Sequence, residues 1–180
     1  MILTTERLIL RPWKEEDAED MYEYAKDPCV GPIAGWPPHK SVNDSLDIIS
    51  IFMKTEEVYA ICMKEDERAI GCIQLKTGAS SDMLENDRQA ELGYWLGVPF
   101  WGRGIMPEAA REVLRHAFED LGMEKVWGGY YDGNLKSKRV QEKCGFRYMW
   151  TTKDVDVPLM HEKRTGHVNC LTKEEWLKIK

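Results

Sequence analysis

The sequence predicts an α/β protein built on a mixed sheet. Three observations carry that reading. Short β-favouring runs alternate with amphipathic helical stretches along the chain. Two of these runs, 58–64 and 69–76, flank the acidic turn Glu65-Asp66-Glu67 in the manner of an antiparallel hairpin. A helical stretch, 107–121, lies between strand-like residues 89–96 and 125–132, the order of a parallel right-handed crossover.

Each element has its own signal. Residues 3–12 read as one strand, dense in β-favouring residues through Leu8-Ile9-Leu10-Arg11 and ended by Pro12. Residues 15–25 read as a helix with Ala18, Met21, Tyr22 and Ala25 on one face. A Gly/Pro-rich loop over 27–40 contains Trp36-Pro37-Pro38 and is long for a compact domain. Ser41 or Asn43 caps the next helix, which runs to about residue 54 on a stripe of Leu46, Ile49 and Met53, widened by Ile48 and Phe52. The polar residues 80–88 form a surface loop. In the helix 107–121, Ala110, Val113, Leu114, Ala117, Phe118 and Leu121 keep helical spacing, Pro107 suits the first turn and Gly122 the end. A short helix over 134–143 closes on Gly145, strands follow at 146–152 and 167–171, and Thr172 with Glu175 forms a capping box for a last helical turn.

Size and composition narrow the function. A chain of 180 residues holds one domain, 1–180, with no linker, repeat or low-complexity tract. The net charge of −6 argues against a nucleic-acid binder and suits a small-molecule enzyme or one acting on a cationic amine. Lys136, Lys138, Arg139 and Lys143 nevertheless form a local basic cluster. The five cysteines include no Cys-x-x-Cys pair and no zinc-finger spacing, so no metal is expected and the thiols read as free in a reducing cytoplasm. Neither a signal peptide nor a membrane span is apparent, which places the expected protein in the cytoplasm.

The segment Trp101-Gly102-Arg103-Gly104-Ile105-Met106 separates a strand from a helix. A helix N-terminus leaves backbone N–H groups unpaired and partially positive, and glycines before it let backbone approach a ligand. Together these suit a pyrophosphate, and Arg103 adds a charged donor. Two glycines before a helix are, by themselves, more often a tight turn. A P-loop is disfavoured because no Gly-Lys-Ser/Thr follows, and the third glycine of a dinucleotide fingerprint is missing.

The wider pattern resembles a known family. Glu91-Leu92-Gly93-Tyr94-Trp95-Leu96, Phe100-Trp101-Gly102-Arg103-Gly104 and Glu108-Ala109 are similar to the acetyl-CoA segment of the GNAT N-acetyltransferase superfamily, in its RimJ/RimL-like branch. Thr5-Glu6-Arg7-Leu8-Ile9-Leu10-Arg11-Pro12 resembles that branch's opening strand. Asn134-Leu135-Lys136-Ser137 and Glu142-Lys143-Cys144-Gly145-Phe146 resemble its second cofactor motif, and Cys170-Leu171-Thr172-Lys173-Glu174-Glu175-Trp176 its closing strand and helix.

The resemblance implies a GNAT fold, with a mostly antiparallel sheet splayed at the cofactor site. It implies transfer of acetyl from acetyl-CoA to a primary amine, on a protein N-terminus or a small molecule, by direct attack in a ternary complex. The protein would be a monomer or homodimer. The expected cofactor contacts are Leu96, Gly97 and Val98 along the pantetheine arm; Trp101, Gly102, Arg103, Gly104, Ile105 and Met106 at the pyrophosphate; and Asn134, Lys136 and Ser137, with Arg139 and Lys143 toward the adenosine phosphates. Met106 departs from the family's small residue, and Pro107 removes one donor. An amide among Leu96 to Val98 would stabilise the oxyanion. Glu91 is the candidate base, or a carboxylate that only shapes the pocket. Gln141 stands where many family members place a Tyr acid, so Ser137 is the candidate proton donor, with Tyr94, Tyr130 and Tyr131 as substitutes. Asn134 and Ser137 also suit helix capping. Trp13, Trp36 and Trp95 would line the acceptor pocket or pack in the core. An alternative is a CoA-binding sensor without turnover.

Overall fold

A computed structural model describes residues 1–180. Eight strands form one sheet: β1 (Leu3–Thr4), β2 (Leu8–Pro12), β3 (Val58–Met63), β4 (Ala69–Lys76), β5 (Gln89–Leu96), β6 (Lys125–Tyr131), β7 (Arg147–Val157) and β8 (Glu162–Thr172). They lie in the order β1-β2-β3-β4-β5-β6-β8-β7, and only β5 and β6 run parallel. The helices are α1 (Ala18–Ala25), α2 (Gly31–Ala34), α3 (Val42–Phe52), α4 (Ile105–Arg115), α5 (Leu135–Lys143) and α6 (Lys173–Ile179).

The helices cover both faces. On one face α4 buries Ile105, Met106, Ala109, Ala110, Val113 and Leu114, which join Leu8, Leu10, Ile61, Ile73, Leu92 and Val126 of the sheet in the main core. On the other, Ala18, Met21, Ala25 and Ile49 of α1 and α3 pack on Ala60, Cys62, Ala69 and Cys72 of β3 and β4. This division follows from strand alternation, which sends successive side chains to opposite faces.

The sheet opens in its middle. The parallel ladder runs from Gln89↔Lys125 to Leu92↔Gly128 and stops, although β5 continues to Leu96 and β6 to Tyr131. This is the splay that the resemblance implied. On its other side β5 stays paired with β4 as far as Gly71↔Leu96.

Several sequence-based expectations are corrected. Residues 3–12 form two antiparallel strands, with Leu3 opposite Leu10; the Thr5 hydroxyl accepts from the Leu8 amide at 3.0 Å and closes the turn. The loop over 27–40 holds α2, with Pro32 in its first turn and Gly35 ending it at φ 98°. Helix α3 ends at Phe52, which leaves Met53 exposed. Helix α4 begins at Ile105, two residues before Pro107, and beyond Arg115 widens into a π turn over His116–Asp120. There buried His116 contacts Asp120 at 2.8 Å and Glu57 at 3.0 Å. The strands expected at 146–152 and 167–171 extend to Val157 and back to Glu162 as a long hairpin. Most of β7 is exposed on both faces, so it carries no alternation to read.

Candidate active site

The loop between β5 and α4 is shaped by two left-handed glycines, Gly102 at φ 75° and Gly104 at φ 74°. The first bond of α4 runs from the Glu108 amide to the Gly104 carbonyl at 3.2 Å. The amides of Ile105 and Met106 precede that bond, and Pro107, which has no amide hydrogen, falls where an intrahelical partner would be missing anyway. Met106 is buried in the main core, so its bulk is directed away from the loop's ligand-facing backbone.

A second element fixes this loop from a distance. Glu108 accepts from the Thr5 hydroxyl at 2.5 Å, the Arg7 amide at 3.0 Å and Arg7 Nε at 2.7 Å, while Arg7 Nη1 donates to the Arg103 carbonyl at 3.1 Å. Burial acts to raise the Glu108 carboxyl, but Thr5 and Arg7 together hold it below its ordinary range. The turn between β1 and β2 thus grips the start of α4, a role that its sequence alone does not disclose.

A cavity of about 950 Å³ lies beside this loop, lined by Leu96, Trp101, Gly102, Gly104, Ile105, Met106, Asn134, Lys136 and Ser137. Its wall carries four cations, Lys136, Arg139, Lys143 and Arg164, against one carboxylate, Asp132. Unpaired helix-start amides beside a basic wall match the demands of a phosphorylated cofactor. Lys136 Nζ lies 4.3 Å above the Trp101 ring, which joins α5 to the loop. Three expected residues stand off this wall. Gly97 and Val98 turn away into the connection to Phe100, and Arg103 points outward over the Phe100 ring at 5.7 Å.

At the end of β5 the backbone is partly committed. The Gly97 amide donates to the Ile70 carbonyl at 2.9 Å, and the Leu96 carbonyl accepts from the Trp101 indole at 2.8 Å. Because backbone groups alternate sides along a strand, Gly97 faces β4 whereas Tyr94 and Leu96 face the opened side. The expected oxyanion donor among Leu96 to Val98 is therefore not Gly97; within that trio the Leu96 amide faces the gap.

A larger cavity of about 1460 Å³ reaches the same gap from the face covered by α1 and α3. Glu91 and Trp95 of β5 line it with Trp36, His39, Tyr130 and Tyr131, and Trp36 meets Trp95 edge to face at 6.0 Å. Trp13 is buried instead against Phe52 in the core. Five carboxylates border this cavity, Asp44, Asp47, Asp82, Glu91 and Asp156, against two lysines, Lys40 and Lys76. The Glu91 carboxylate is mostly buried and lies 3.0 Å from Lys76 Nζ.

The two cavities share Ile33, Ala34, Tyr94, Trp95, Asn134 and Ser137. Asn134 caps α5 by accepting from the Ser137 amide at 3.2 Å, and its Nδ2 donates to the Ile33 carbonyl at 3.5 Å. Tyr94 Oη lies 3.0 Å from Ser137 Oγ. Burial pushes the Tyr94 phenol up to about 12, so it is a neutral donor at neutral pH. Gln141 donates to Ser137 Oγ at 3.3 Å and to the Gly129 carbonyl at 3.2 Å, and accepts from Asn169 at 2.7 Å. The Gln141 carboxamide, at the position where the resemblance implies a Tyr acid, thus fixes a serine hydroxyl.

No His, Cys, Asp and Glu side chains gather as a metal site. Cys62, Cys72, Cys144 and Cys170 are buried, whereas Cys29 is exposed; burial pushes Cys72 up to about 12 and Cys144 to about 11, far from a reactive thiolate. No helix is long and apolar enough to cross a membrane.

Comparisons with known proteins agree with this architecture. A family model described as "Acetyltransferase (GNAT) domain" matches residues 7–147. The FsC-acetyl coenzyme A-N(2)-transacetylase of Aspergillus fumigatus is 34% identical over 94 residues, 51% of this chain and 39% of that protein, so the match spans well under half of that relative's length. A GNAT-family acetyltransferase structure from Bacillus anthracis superposes with a TM-score of 0.86 at 20% identity, covering 97% of this chain and 100% of that one. The ribosomal-protein-S5-alanine acetyltransferase of Vibrio fischeri superposes with a TM-score of 0.73 at 17% identity, covering 98% of each chain. A sheet that opens between its two parallel strands, a glycine-shaped loop at a helix start and a family match over most of the chain have one common reading: this chain belongs to the GNAT acetyltransferase family.

Proposed function

We propose that the chain transfers the acetyl group of acetyl-CoA to a primary amine by direct attack in a ternary complex. The observation that carries this reading is the meeting of two cavities of opposite charge at Tyr94, Asn134 and Ser137. The basic cavity suits an anionic cofactor and the acidic one a protonated amine. When bound, acetyl-CoA supplies the activated acyl group. The loop from Trp101 to Met106 and the cations Lys136, Arg139 and Lys143 bind its phosphates, and Leu96 and Asn134 meet its arm.

Glu91 takes the proton from the incoming ammonium, directly or through water. It lies within the acidic cavity, 3.0 Å from Lys76 Nζ. The Leu96 amide donates to the oxygen on which charge develops. Tyr94 and Ser137 form the hydroxyl pair that returns a proton to the departing sulfur, with Gln141 holding Ser137 in place. This pair supports turnover over a cofactor sensor, because a proton donor is present without Tyr at position 141. Cys29, the exposed cysteine, is not among the residues that the two cavities share, and burial raises the Cys72 thiol to about 12, which favours direct transfer over an acyl-enzyme.

The test follows free thiol and product mass with acetyl-CoA and panels of peptides and small amines. N-acetylated product with intersecting initial-rate lines is expected. Parallel lines would indicate an acyl-enzyme, and tight acetyl-CoA binding without any product would favour the sensor.

A further inference from the structure

Five glycines lie within strands: Gly71, Gly93, Gly128, Gly129 and Gly166. None has a positive φ, so none is required by backbone conformation. Glycine inside a strand is destabilising relative to alanine, and it marks either tight packing or the close approach of another group.

Packing accounts for two of them. A Cβ on Gly71 would lie 2.5 Å from the Trp95 carbonyl oxygen, and one on Gly128 would lie 3.0 Å from the Gln141 carboxamide, which is itself held by three partners. The other three are different. A Cβ on Gly93 would meet the Gln74 side chain at 3.2 Å, one on Gly129 the end of Met83 at 3.0 Å and one on Gly166 a Val155 methyl at 3.4 Å. The first two neighbours are ends of long flexible side chains, and the third distance is ordinary contact. A methyl fits at Gly166, and at Gly93 and Gly129 once the flexible neighbour gives by a few tenths of an ångström; unlike buried Gly71 and Gly128, all three glycines keep partial exposure.

These three glycines share one location: all line the acidic cavity. Gly93 and Gly129 would form the next pair after Leu92↔Gly128, so they face each other where the sheet first opens. Gly166 lies one strand further, opposite Tyr131 and Thr152.

We infer that Gly93, Gly129 and Gly166 form the floor of the acceptor site and select an amine carried on a slender, unbranched chain that lies against the glycine backbone, between the Gln74, Met83 and Val155 side chains, from β5 across β6 to β8. This rests on the transferase reading above. With paired strands about 4.8 Å apart and β5 leaving β6 beyond Leu92↔Gly128, the floor is at least about 10 Å wide, the reach of about three or more extended residues or of a linear aliphatic amine of similar length. Asp44, Asp47, Asp82 and Asp156 border the same cavity and favour a cationic chain.

The experiment compares wild type with Gly93→Ala, Gly129→Ala and Gly166→Ala. The probes are pentapeptides with small or with branched residues at positions two and three, and linear or carbon-branched diamines of graded length. Transfer from acetyl-CoA is followed, and acetyl-CoA affinity is measured by calorimetry. Wild type is expected to prefer unbranched probes. Gly93→Ala and Gly129→Ala should lower kcat/KM for the best probe by about tenfold or more, the effect of one added methyl in a fitted site, with acetyl-CoA affinity within about twofold. Gly166→Ala should affect only probes long enough to reach β8. The peptide and diamine arms decide which source supplies the chain. Three alanine variants equal to wild type, equal use of branched probes, or lost acetyl-CoA binding in folded variants would overturn the proposal alone. Transfer by wild type to no probe would overturn both it and the transferase reading.

Discussion

The two cavities differ in how the chain builds them. The basic cavity draws its main binding elements from two short stretches, the loop from Leu96 to Pro107 and the turn from Asp132 into α5. The acidic cavity is assembled from short runs on α1, α2, α3, five strands and the loops at 36–40 and 79–83, which lie far apart in the chain. A site made largely of contiguous backbone leaves a local signature, whereas a site made of dispersed side chains does not.

Four substitutions would break or sharpen this contrast. Glu91→Gln belongs to the acceptor side and should have the largest effect. Turnover falls by about 10²–10⁴-fold, as for loss of a general base, while acetyl-CoA affinity measured by calorimetry stays within about twofold. Unchanged turnover across pH would remove Glu91 from the chemistry. Tyr94→Phe, at the meeting point, should lower kcat by about 10–100-fold, with the Ser137 hydroxyl left to supply part of the proton donation. Because burial raises the Tyr94 phenol to about 12, wild-type kcat should show no Tyr94-dependent decline below about pH 11. A lower alkaline limb that disappears in Tyr94→Phe would contradict that environment.

On the cofactor side, Gly104→Trp forces a bulky residue into a left-handed backbone at φ 74°. Acetyl-CoA binding should weaken by about 2 kcal/mol, or about thirtyfold in Kd. Arg7→Ala should have a smaller effect, about tenfold in acetyl-CoA affinity with kcat nearly unchanged. It frees the Arg103 carbonyl and leaves the Glu108 carboxylate uncompensated near an anion site. Adding Glu108→Ala should recover part of that loss. Additive losses in the double variant would show that Arg7 supports the fold rather than tuning the loop.

These differences explain what could be read from the chain in advance. The parallel crossover, the β3–β4 hairpin, the Ser41 and Thr172 caps and the glycine loop all rest on local periodicity or local backbone chemistry, and each is present. The Tyr94–Ser137 contact joins residues 43 apart in sequence and exists only because the sheet opens beside α5. The Arg7–Glu108 grip spans 101 residues. The short helix α2 was hidden in a Gly/Pro-rich stretch, although Pro32 near its start and Gly35 at its end are the usual boundary residues. The β7–β8 hairpin gave no alternating pattern because most of β7 has solvent on both faces. Placement of Gly97 outside the gap could not be foreseen, since it depends on which side of β5 the Ile70 carbonyl lies.

The most direct test of the central claim, that an amine entering one cavity meets the acetyl donor held in the other, is the initial rate of thiol release from acetyl-CoA as amine concentration rises, in wild type and in Glu91→Gln. Saturable, amine-dependent release is expected in wild type and a nearly flat response in the variant at equal acetyl-CoA occupancy. Release that ignores amine concentration, or the same amine dependence in both proteins, would contradict it.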